Sequence, residues 1–330
     1  MLLWLEFLGV TSLILFSGTK LPRYGDIISE KTGLSRLWLG MFLMAGVTSL
    51  PELATGLSAV SADLPDIAAG NIFGSCIFNV FILGILDTLS KKVPLSSKIN
   101  QGSILTAGMS VLLLGGVSVS LFLGDKLPGL GWIGLYTPLI VWGYLGTIRM
   151  SFKSERKRSL SISGKDEERP ASRMTLRAAV GHYVLHAAVV VGAALFLPSI
   201  AEGLAEMTGL GQTFIGNVFT AISTSLPELT VSVASLRIGA VDMAVGNIFG
   251  SNVFNMFILA IEDVFYFKGP LLSFIEPQHM IPALLAMAMT GLAVAGLIYN
   301  SEKKRFLWAW DSLGIILIFI ANLFLLYMFR

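Results

Sequence analysis

The sequence predicts an all-α membrane protein with ten transmembrane helices, arranged as two inverted-topology repeats of five. Three observations support this fold class: the composition, an internal duplication and the placement of the basic residues. Of the 330 residues, 54% are hydrophobic and 13% are charged, with a mean hydropathy of +0.76. A soluble domain carries about 25% charged residues. This composition is therefore typical of a chain that folds within a lipid bilayer.

Ten segments are candidates for membrane spans, each of which needs roughly 20 mostly apolar residues. They lie near 2–19, 37–61, 66–89, 103–123, 130–148, 178–201, 210–236, 241–267, 280–299 and 306–328. The longest polar stretch, 149–177, leaves no room for a soluble domain. The lipid bilayer is therefore the expected environment of almost the whole chain.

The basic residues test this count. If the odd-numbered connections face the cytoplasm, those connections hold 20 of the 23 Lys and Arg residues, and only Lys126, Lys268 and Arg330 lie elsewhere. Such an excess follows the positive-inside rule. The sequence thus predicts a multi-pass protein of the cell (inner) membrane with both termini outside the cytoplasm. The basic loops are topology signals, so no nucleic-acid partner is expected, and protein partners stay undetermined.

A duplication divides the chain. Thr48–Leu53 (TSLPEL) returns as Thr224–Leu229, and Gly70–Ser75 (GNIFGS) returns as Gly246–Ser251, each 176 residues later. Comparing 48–87 with 224–263 gives 21 identities in 40 positions. Five predicted spans separate each pair, and an odd number inserts the two copies with opposite orientations. The predicted parts are a first repeat (1–150), a cytoplasmic linker (151–177) and a second, inverted repeat (178–330).

The duplicated residues are polar, although core packing alone requires only apolar periodicity. Pro51 and Pro227 lack an N–H group, so each frees the carbonyl four residues earlier, and such a group survives in a bilayer only if protein, water or an ion satisfies it. A glutamate, Glu52 or Glu228, follows each proline. Carboxylates within a membrane are costly and usually functional. Two such carboxylates predict a site built from both halves.

The surrounding polar groups indicate the kind of ligand. Soft ligands are absent from the pattern apart from Cys76, which disfavours zinc and copper. Freed carbonyls, carboxylates and hydroxyls form an all-oxygen set, and Ca²⁺ takes about six to eight oxygen ligands. Two hydroxyl residues and a leucine precede each proline. Amides and a serine share one helical face in each copy, at i, i+4 and i+8. These are Thr48, Ser49, Thr224 and Ser225, then Asn71, Ser75 and Asn79 with their copies Asn247, Ser251 and Asn255.

The two blocks resemble the α-repeats of the sodium/calcium exchanger family, within the cation/calcium exchanger superfamily, in the prokaryotic type without a regulatory domain. The resemblance implies that Glu52 and Glu228 flank Ca²⁺, and that the first and sixth spans slide over the remaining bundle. Some members, including potassium-dependent ones, carry Asp where Asn255 stands. The amides at both Asn79 and Asn255 argue weakly against potassium dependence and leave the ion stoichiometry open. The implied further ligands of Ca²⁺ and Na⁺ are Thr48, Ser49, Ser75 and Asn79, with Thr224, Ser225, Ser251 and Asn255, and carbonyls near Ala45 and Ala221.

Two pairs have open roles. Asn71 and Asn247 are either ligands or interhelical hydrogen-bonding groups. Asp87 and Asp263 lie two turns beyond Asn79 and Asn255, where they would either attract cations at the vestibules or serve a structural role, which is the favoured interpretation.

The expected function is a secondary antiporter that exchanges Ca²⁺ for Na⁺ by alternating access. A Ca²⁺/H⁺ exchanger is the alternative, because protons can replace Na⁺ on the same two glutamates. A cation channel fits the inverted repeat less well, and an enzyme is not expected because no nucleophile–base pair or catalytic metal triad is found. No cofactor is expected beyond the transported ions. The coupling ion, stoichiometry, direction and oligomeric state are not determined by the sequence.

Overall fold

The structure is a computed structural model that describes residues 2–90, 94–99, 102–126, 129–162, 172–208, 221–299 and 309–328. Helices dominate these residues. In chain order they are α1 (Leu2–Gly18), α2 (Leu21–Thr32), α3 (Arg36–Trp38), α4 (Ala45–Thr48), α5 (Leu50–Ser61), α6 (Pro65–Leu89), α7 (Gly102–Leu123), α8 (Tyr136–Ile162), α9 (Leu176–Ala194), α10 (Leu197–Thr208), α11 (Leu226–Arg237), α12 (Val241–Phe265), α13 (Met280–Tyr299) and α14 (Trp310–Met328). A π-helical segment, Leu39–Met44, joins α3 to α4, and residues 221–224 form a helical turn before α11. Short 3₁₀ turns lie at Leu95–Lys98, Gly124–Lys126, Leu271–Ser273 and Pro277–His279.

Six helical stretches are long and apolar enough to cross a membrane: Leu2–Thr32, Pro65–Leu89, Gly102–Leu123, Leu176–Ile200, Val241–Phe265 and Pro277–Tyr299. A seventh is obtained if Arg36–Thr48 and Leu50–Ser61, bent by 41° relative to each other, form one broken span. Trp310–Leu325 is a shorter apolar helix. The predicted span near 210–236 begins outside the described residues. The structure is therefore that of an all-helical membrane protein, and the count of ten spans stays a prediction.

A small β-hairpin lies in the connection between α7 and α8. Gly129–Leu130 pairs antiparallel with Ile133–Gly134, so the next helix begins at Tyr136 and not near residue 130. Gly131 in the turn has φ +71°, which glycine adopts without strain. Glycines at 129, 131 and 134 thus favour a turn where the hydropathy alone predicted the start of a span.

The boundary between the predicted halves falls within a helix, because α8 runs past residue 150 to Ile162. The next helix, α9, begins after Thr175, whose hydroxyl caps it by accepting a hydrogen bond from the Ala178 N–H at 3.3 Å. Residues 163–171 of the predicted linker lie outside the described residues.

The centre of the molecule is formed by α6 and α12, the helices that carry the duplicated GNIFGS segment. They pack against each other and against α5, α7, α8, α11 and α13. The π-helical segment lies directly on α12, since a Cβ added at Gly250 would overlap the Met41 carbonyl. In contrast, α1 and α9 pack together at the periphery and expose large apolar side chains such as Leu5, Leu8 and Val184. Lipid is the expected neighbour of that surface.

Candidate cation-binding site

Each copy of TSLPEL interrupts its helix just before the proline. Ser49 (φ −92°, ψ 8°) separates α4 from α5, and Ser225 (φ −87°, ψ 8°) occupies the same place before α11. Backbone hydrogen bonds still reach across each break, from Leu53 N to Ser49 O at 3.2 Å in the first copy. The break therefore turns the chain without unravelling it, and it directs the glutamate one residue after each proline into the interior.

Glu52 and Glu228 are both completely buried. Each carboxylate accepts a hydrogen bond from the serine of the other half: Ser49 Oγ lies 2.9 Å from Glu228 Oε1, and Ser225 Oγ lies 3.0 Å from Glu52 Oε1. The two copies therefore exchange contacts, and the two carboxylates belong to one site.

The serines of the second motif bind the same oxygens. Ser75 Oγ lies 3.3 Å from Glu52 Oε1, and Ser251 Oγ lies 3.4 Å from Glu228 Oε1. The other oxygen of each carboxylate, Oε2, is buried and has no hydrogen-bond partner among the described residues. A buried carboxylate in this state is costly unless a counter-charge or a proton compensates it. Each glutamate thus leaves one oxygen available for a cation.

Asn71 and Asn247 are hydrogen-bonded at both ends of the amide. Asn71 donates to the Glu52 carbonyl at 3.1 Å and accepts from the Thr224 hydroxyl of the other half at 3.3 Å. Asn247 is placed in the same way, and accepts from Thr48 at 3.3 Å. Thr48 and Thr224 also lie near the Ala45 and Ala221 carbonyls, at 3.4 and 3.2 Å. This geometry favours the interhelical role for the two asparagines.

In contrast, the side-chain amides of Asn79 and Asn255 are hydrogen-bonded at the nitrogen only. Asn79 Nδ2 donates to Asn252 Oδ1 at 3.1 Å, and Asn255 Nδ2 lies 3.8 Å from Cys76 Sγ. The Oδ1 atom of each is buried without a partner in the described part of the chain. Both amides therefore present an oxygen that is free to bind a cation.

Asn252 was missed as a member of this site. It stands where the first copy has Cys76, and its amide donates to the Cys76 carbonyl at 3.2 Å while its Oδ1 accepts from Asn79. The signal that could have identified it is the one polar mismatch between the two copies of GNIFGS-x-x-x-N, namely Cys in the first and Asn in the second. The two mismatched residues thus face each other across the halves.

Asp87 and Asp263 lie away from the glutamates and bind the connections to the next helices. Asp87 accepts from the backbone N–H groups of Leu95 and Ala309, at 2.8 and 2.9 Å. Asp263 accepts from Leu271 N at 2.7 Å and Gly134 N at 2.9 Å, and from the hydroxyls of Tyr136 and Thr137. Because these bonds occupy all four carboxylate oxygens, the geometry favours the structural role over the vestibule role.

The groups that surround the two glutamates are of the kind that binds hard cations. Among the described residues, no group of three or more His, Cys, Asp and Glu side chains is placed to hold a metal ion. The groups around Glu52 and Glu228 are hydroxyls, amides and carbonyls, which are the ligands that hard cations prefer.

Fold and site together define an all-helical membrane protein with an oxygen-lined polar centre shared by two similar halves. The profile of the family described as sodium/calcium exchanger protein matches residues 2–145 and 178–328. The chain therefore belongs to the sodium/calcium exchanger family, a family of transporters and not of enzymes.

Similar proteins cover most of the chain. The sodium/calcium exchanger MaX1 of Methanosarcina acetivorans is 29% identical over 334 residues, which cover 91% of each chain. The inner membrane protein YrbG of Escherichia coli is 27% identical over 247 residues, covering 75% of this chain and 74% of that protein. A structure of the sodium-calcium exchanger NCX_Mj soaked with 10 mM Na⁺ and zero Ca²⁺ matches with a TM-score of 0.74 at 20% identity, covering 97% and 98% of the two chains. The fold is thus shared over nearly the full length.

Proposed function

We propose that this protein is a secondary antiporter that exchanges Ca²⁺ for Na⁺ across the membrane by alternating access. The observation that carries the proposal is the reciprocal bonding of Glu52 and Glu228 by Ser225 and Ser49, which leaves one buried oxygen of each carboxylate without a partner among the described residues. The name of the relative MaX1, sodium/calcium exchanger, agrees with this choice of ions.

Competition between the two ions follows from charge. Two ionised glutamates carry −2, which one Ca²⁺ neutralises and several Na⁺ neutralise or exceed. Both ions require the same oxygens, so the site holds one load at a time. Alternating access then moves Ca²⁺ in one direction and Na⁺ in the other, because the charged and empty site is unfavourable within the bilayer.

The proposed ligands fall into three groups. The carboxylates of Glu52 and Glu228 bind Ca²⁺ directly. The free amide oxygens of Asn79 and Asn255 and the carbonyls of Ala45 and Ala221 add neutral donors. Hydroxyls complete the Ca²⁺ and Na⁺ sites: Thr48, Ser49, Ser75, Thr224, Ser225 and Ser251. Asn71 and Asn247 hold the broken helices in place, and Asp87 and Asp263 hold the connections.

The proposed architecture has ten spans in two inverted repeats, residues 1–150 and 178–330, joined by a cytoplasmic linker, with both termini outside the cytoplasm of the cell (inner) membrane. Two contacts, Ser49–Glu228 and Ser225–Glu52, are related to each other by a shift of 176 residues, and they support the proposal because a reciprocal pattern of this kind arises from a pseudo-twofold axis between the halves. In inverted-repeat carriers the substrate site lies at the membrane midplane where broken helices meet. The packing of α1 on α9 agrees with a sliding pair made of the first and sixth spans.

Ca²⁺/H⁺ exchange is the second candidate. It is favoured by the same unpartnered Oε2 atoms of Glu52 and Glu228, because a carboxyl oxygen without a hydrogen-bond partner is also a place for a proton. The two candidates therefore share a site and differ in the ion that replaces Ca²⁺.

The deciding experiment measures ⁴⁵Ca²⁺ flux into proteoliposomes under imposed Na⁺ or pH gradients, with the membrane potential set by a K⁺ ionophore. We expect uptake that follows the Na⁺ gradient at constant pH. Flux that follows only the pH gradient would establish the H⁺ candidate. Flux without any gradient dependence, at channel-like rates, would contradict both. Liposomes with the Glu52→Gln protein serve as the matched control for leak.

A further inference from the structure

A third glutamate lies buried outside the duplicated site. Glu262 is on α12, seven residues after Asn255, which places it about 10 Å further along the helix axis. Its side chain is completely buried, and neither Oε1 nor Oε2 has a hydrogen-bond partner among the described residues. No ion pair of the described residues includes it. Glu262 was not predicted as a functional residue, because its position is not duplicated in the first half.

The carboxylate of Glu262 lies against the backbone of α5 at Gly56. A Cβ added at Gly56 would overlap Glu262 Oε1, so the carboxylate occupies the space that a side chain at position 56 would fill. Gly56 is one helical turn beyond Glu52, since four residues separate them. The Glu262 carboxylate is therefore packed against α5 about one helical turn from the central Glu52.

The fold itself does not require a charge at this place. In the first half, Leu86 occupies the position equivalent to Glu262. In the second half, Ser232 occupies the position equivalent to Gly56, and each pair is 176 residues apart. Leu86 is completely buried, so an apolar side chain fills the equivalent position. Glu262 breaks the symmetry of the repeat within a stretch where Ile258, Leu259 and Asp263 all match their counterparts. A role for Glu262 on just one side of the membrane accounts for this asymmetry.

Contacts beyond the ends of α5 and α12 identify the membrane face that lies nearest to Glu262. From the central site, α5 runs past Gly56 to Ser61, and α12 runs past Glu262 to Phe265. Just beyond these helices, Tyr266 Oη donates to Asp63 Oδ1 at 2.9 Å, and Lys268 binds the other oxygen of Asp63 at 2.5 Å. These two bonds hold the pKa of the exposed Asp63 carboxyl below its usual range. Glu262 therefore lies between the central site and the membrane face that carries Asp63.

We propose that Glu262 is a proton-binding site on the access path between the central cation site and the membrane face that carries Asp63. A buried carboxylate without a counter-charge is stable only when it is neutral, so it holds a proton in the resting protein. When the proton leaves to the water on that face, the negative charge attracts a cation into the path. The inference rests on the proposed exchange function.

The charged and titratable groups around this position leave the role to Glu262 alone. Towards this end of α12, the packed elements contribute Glu52 on α5, Asp66 on α6, and Tyr136 and Tyr144 on α8, with the Tyr144 ring stacked on Phe257 at 4.4 Å between ring centroids. Asp66 is paired with His279, with Oδ1 3.3 Å from Nε2, and Tyr136 donates to Asp263. The π-helical segment and α7 carry no titratable side chain. Among the described residues, Glu262 is thus the unpaired acid between the central glutamates and the surface.

The test measures the concentration dependence of ⁴⁵Ca²⁺ uptake from the Asp63 face at a series of pH values, with a fixed Na⁺ gradient. The variants are Glu262→Gln and Glu262→Leu, the latter copying the residue of the first half. In the wild type, the apparent KM for Ca²⁺ should rise by roughly threefold or more as the pH falls, because protonation removes the attracting charge. Both variants should keep the high KM at every pH. The exposed Glu276→Gln is the matched control and should titrate like the wild type.

Identical pH profiles in the wild type and both variants would overturn the proposal. An effect of the variants that varies with Na⁺ concentration and not with pH would assign a Na⁺ site and overturn the proton. Infrared difference spectroscopy between high and low pH provides a readout independent of transport: a protonated-carboxyl band should be lost in Glu262→Gln and kept in Glu276→Gln. Absence of such a band from the wild type also overturns the proposal. If the wild type carries no Ca²⁺ flux at all, the exchange function fails, and the infrared band still decides the state of Glu262.

Discussion

Ser49 Oγ, in the first half of the chain, lies 2.9 Å from Glu228 Oε1 in the second half and donates a hydrogen bond to it. The same bond recurs between Ser225 and Glu52 at 3.0 Å. Each carboxylate is therefore oriented by the opposite half, and a movement of one half relative to the other changes the surroundings of both glutamates at once. Under the proposed alternating access, a movement between the halves would therefore change the hydrogen bonds of both proposed ligands together.

Replacing either glutamate by glutamine should abolish Ca²⁺ transport. In Glu52→Gln and Glu228→Gln the amide keeps the shape of the side chain but removes a charge that Ca²⁺ requires, so ⁴⁵Ca²⁺ uptake into proteoliposomes should fall to the level of empty liposomes. Folding should be intact, as judged by an unchanged elution profile and melting temperature. Near-normal uptake by either folded variant would show that the site is assigned wrongly.

The serines of the second motif should matter more for Na⁺. Ser75→Ala and Ser251→Ala each remove a neutral hydroxyl, and a hydrogen bond to a charged group contributes about 1.5–3 kcal/mol. We expect the Na⁺ concentration for half-maximal exchange to rise by more than the apparent KM for Ca²⁺, because a neutral donor suits a monovalent ion. Ser118, which bonds to Leu114 O within its own helix, offers the control variant Ser118→Ala. A larger effect on Ca²⁺ than on Na⁺ would contradict this division of ligands.

The inverted repeat can be tested by labelling. In a Cys76→Ala background, single cysteines at Ser61 and Ile238, both exposed at the ends of α5 and α11, should react with an impermeant thiol reagent from opposite faces of the membrane. The two positions follow corresponding helices, and an odd number of spans between them reverses their side. Labelling from the same face would mean that the predicted number of spans is wrong and that the halves are not inverted.

Asp263 should affect stability more than ion binding. Its two oxygens accept four hydrogen bonds, from two backbone N–H groups and two hydroxyls. In Asp263→Asn an amide nitrogen replaces one of these oxygens, and it cannot accept the two hydrogen bonds that this oxygen accepted. The free energy of unfolding should fall by about 2–4 kcal/mol, since donors are left buried and unpaired. The expected result is a lower melting temperature, while exchange by the protein that stays folded keeps its dependence on Na⁺ and Ca²⁺ concentration. An altered ion dependence at unchanged stability would instead support a vestibule role.

Much of this protein was predictable because its main features are present in the composition and in short, duplicated sequence motifs. The composition predicted a membrane protein, and the recurrence of TSLPEL and GNIFGS at a spacing of 176 predicted that both glutamates contribute to one site. Within a helix, spacing also determines which side chains share a face, so Ser75 and Asn79 were predicted to lie beside Asn71. The hairpin before Tyr136 was not predicted, since hydropathy does not register the turn that three nearby glycines favour.

The sequence by itself therefore indicated the membrane environment, the family and the duplicated residues of the polar centre, although not Asn252. Only the tertiary structure decided that each glutamate is bonded by the serine of the opposite half, that the Asp87 and Asp263 carboxylates are occupied by the connecting segments, and that Glu262 lies against Gly56 without a partner among the described residues. These facts depend on how helices far apart in the chain pack together. Spacing along one helix carries no information about the helix that will face it, and so the partner of a buried polar group is known only when the packing is known.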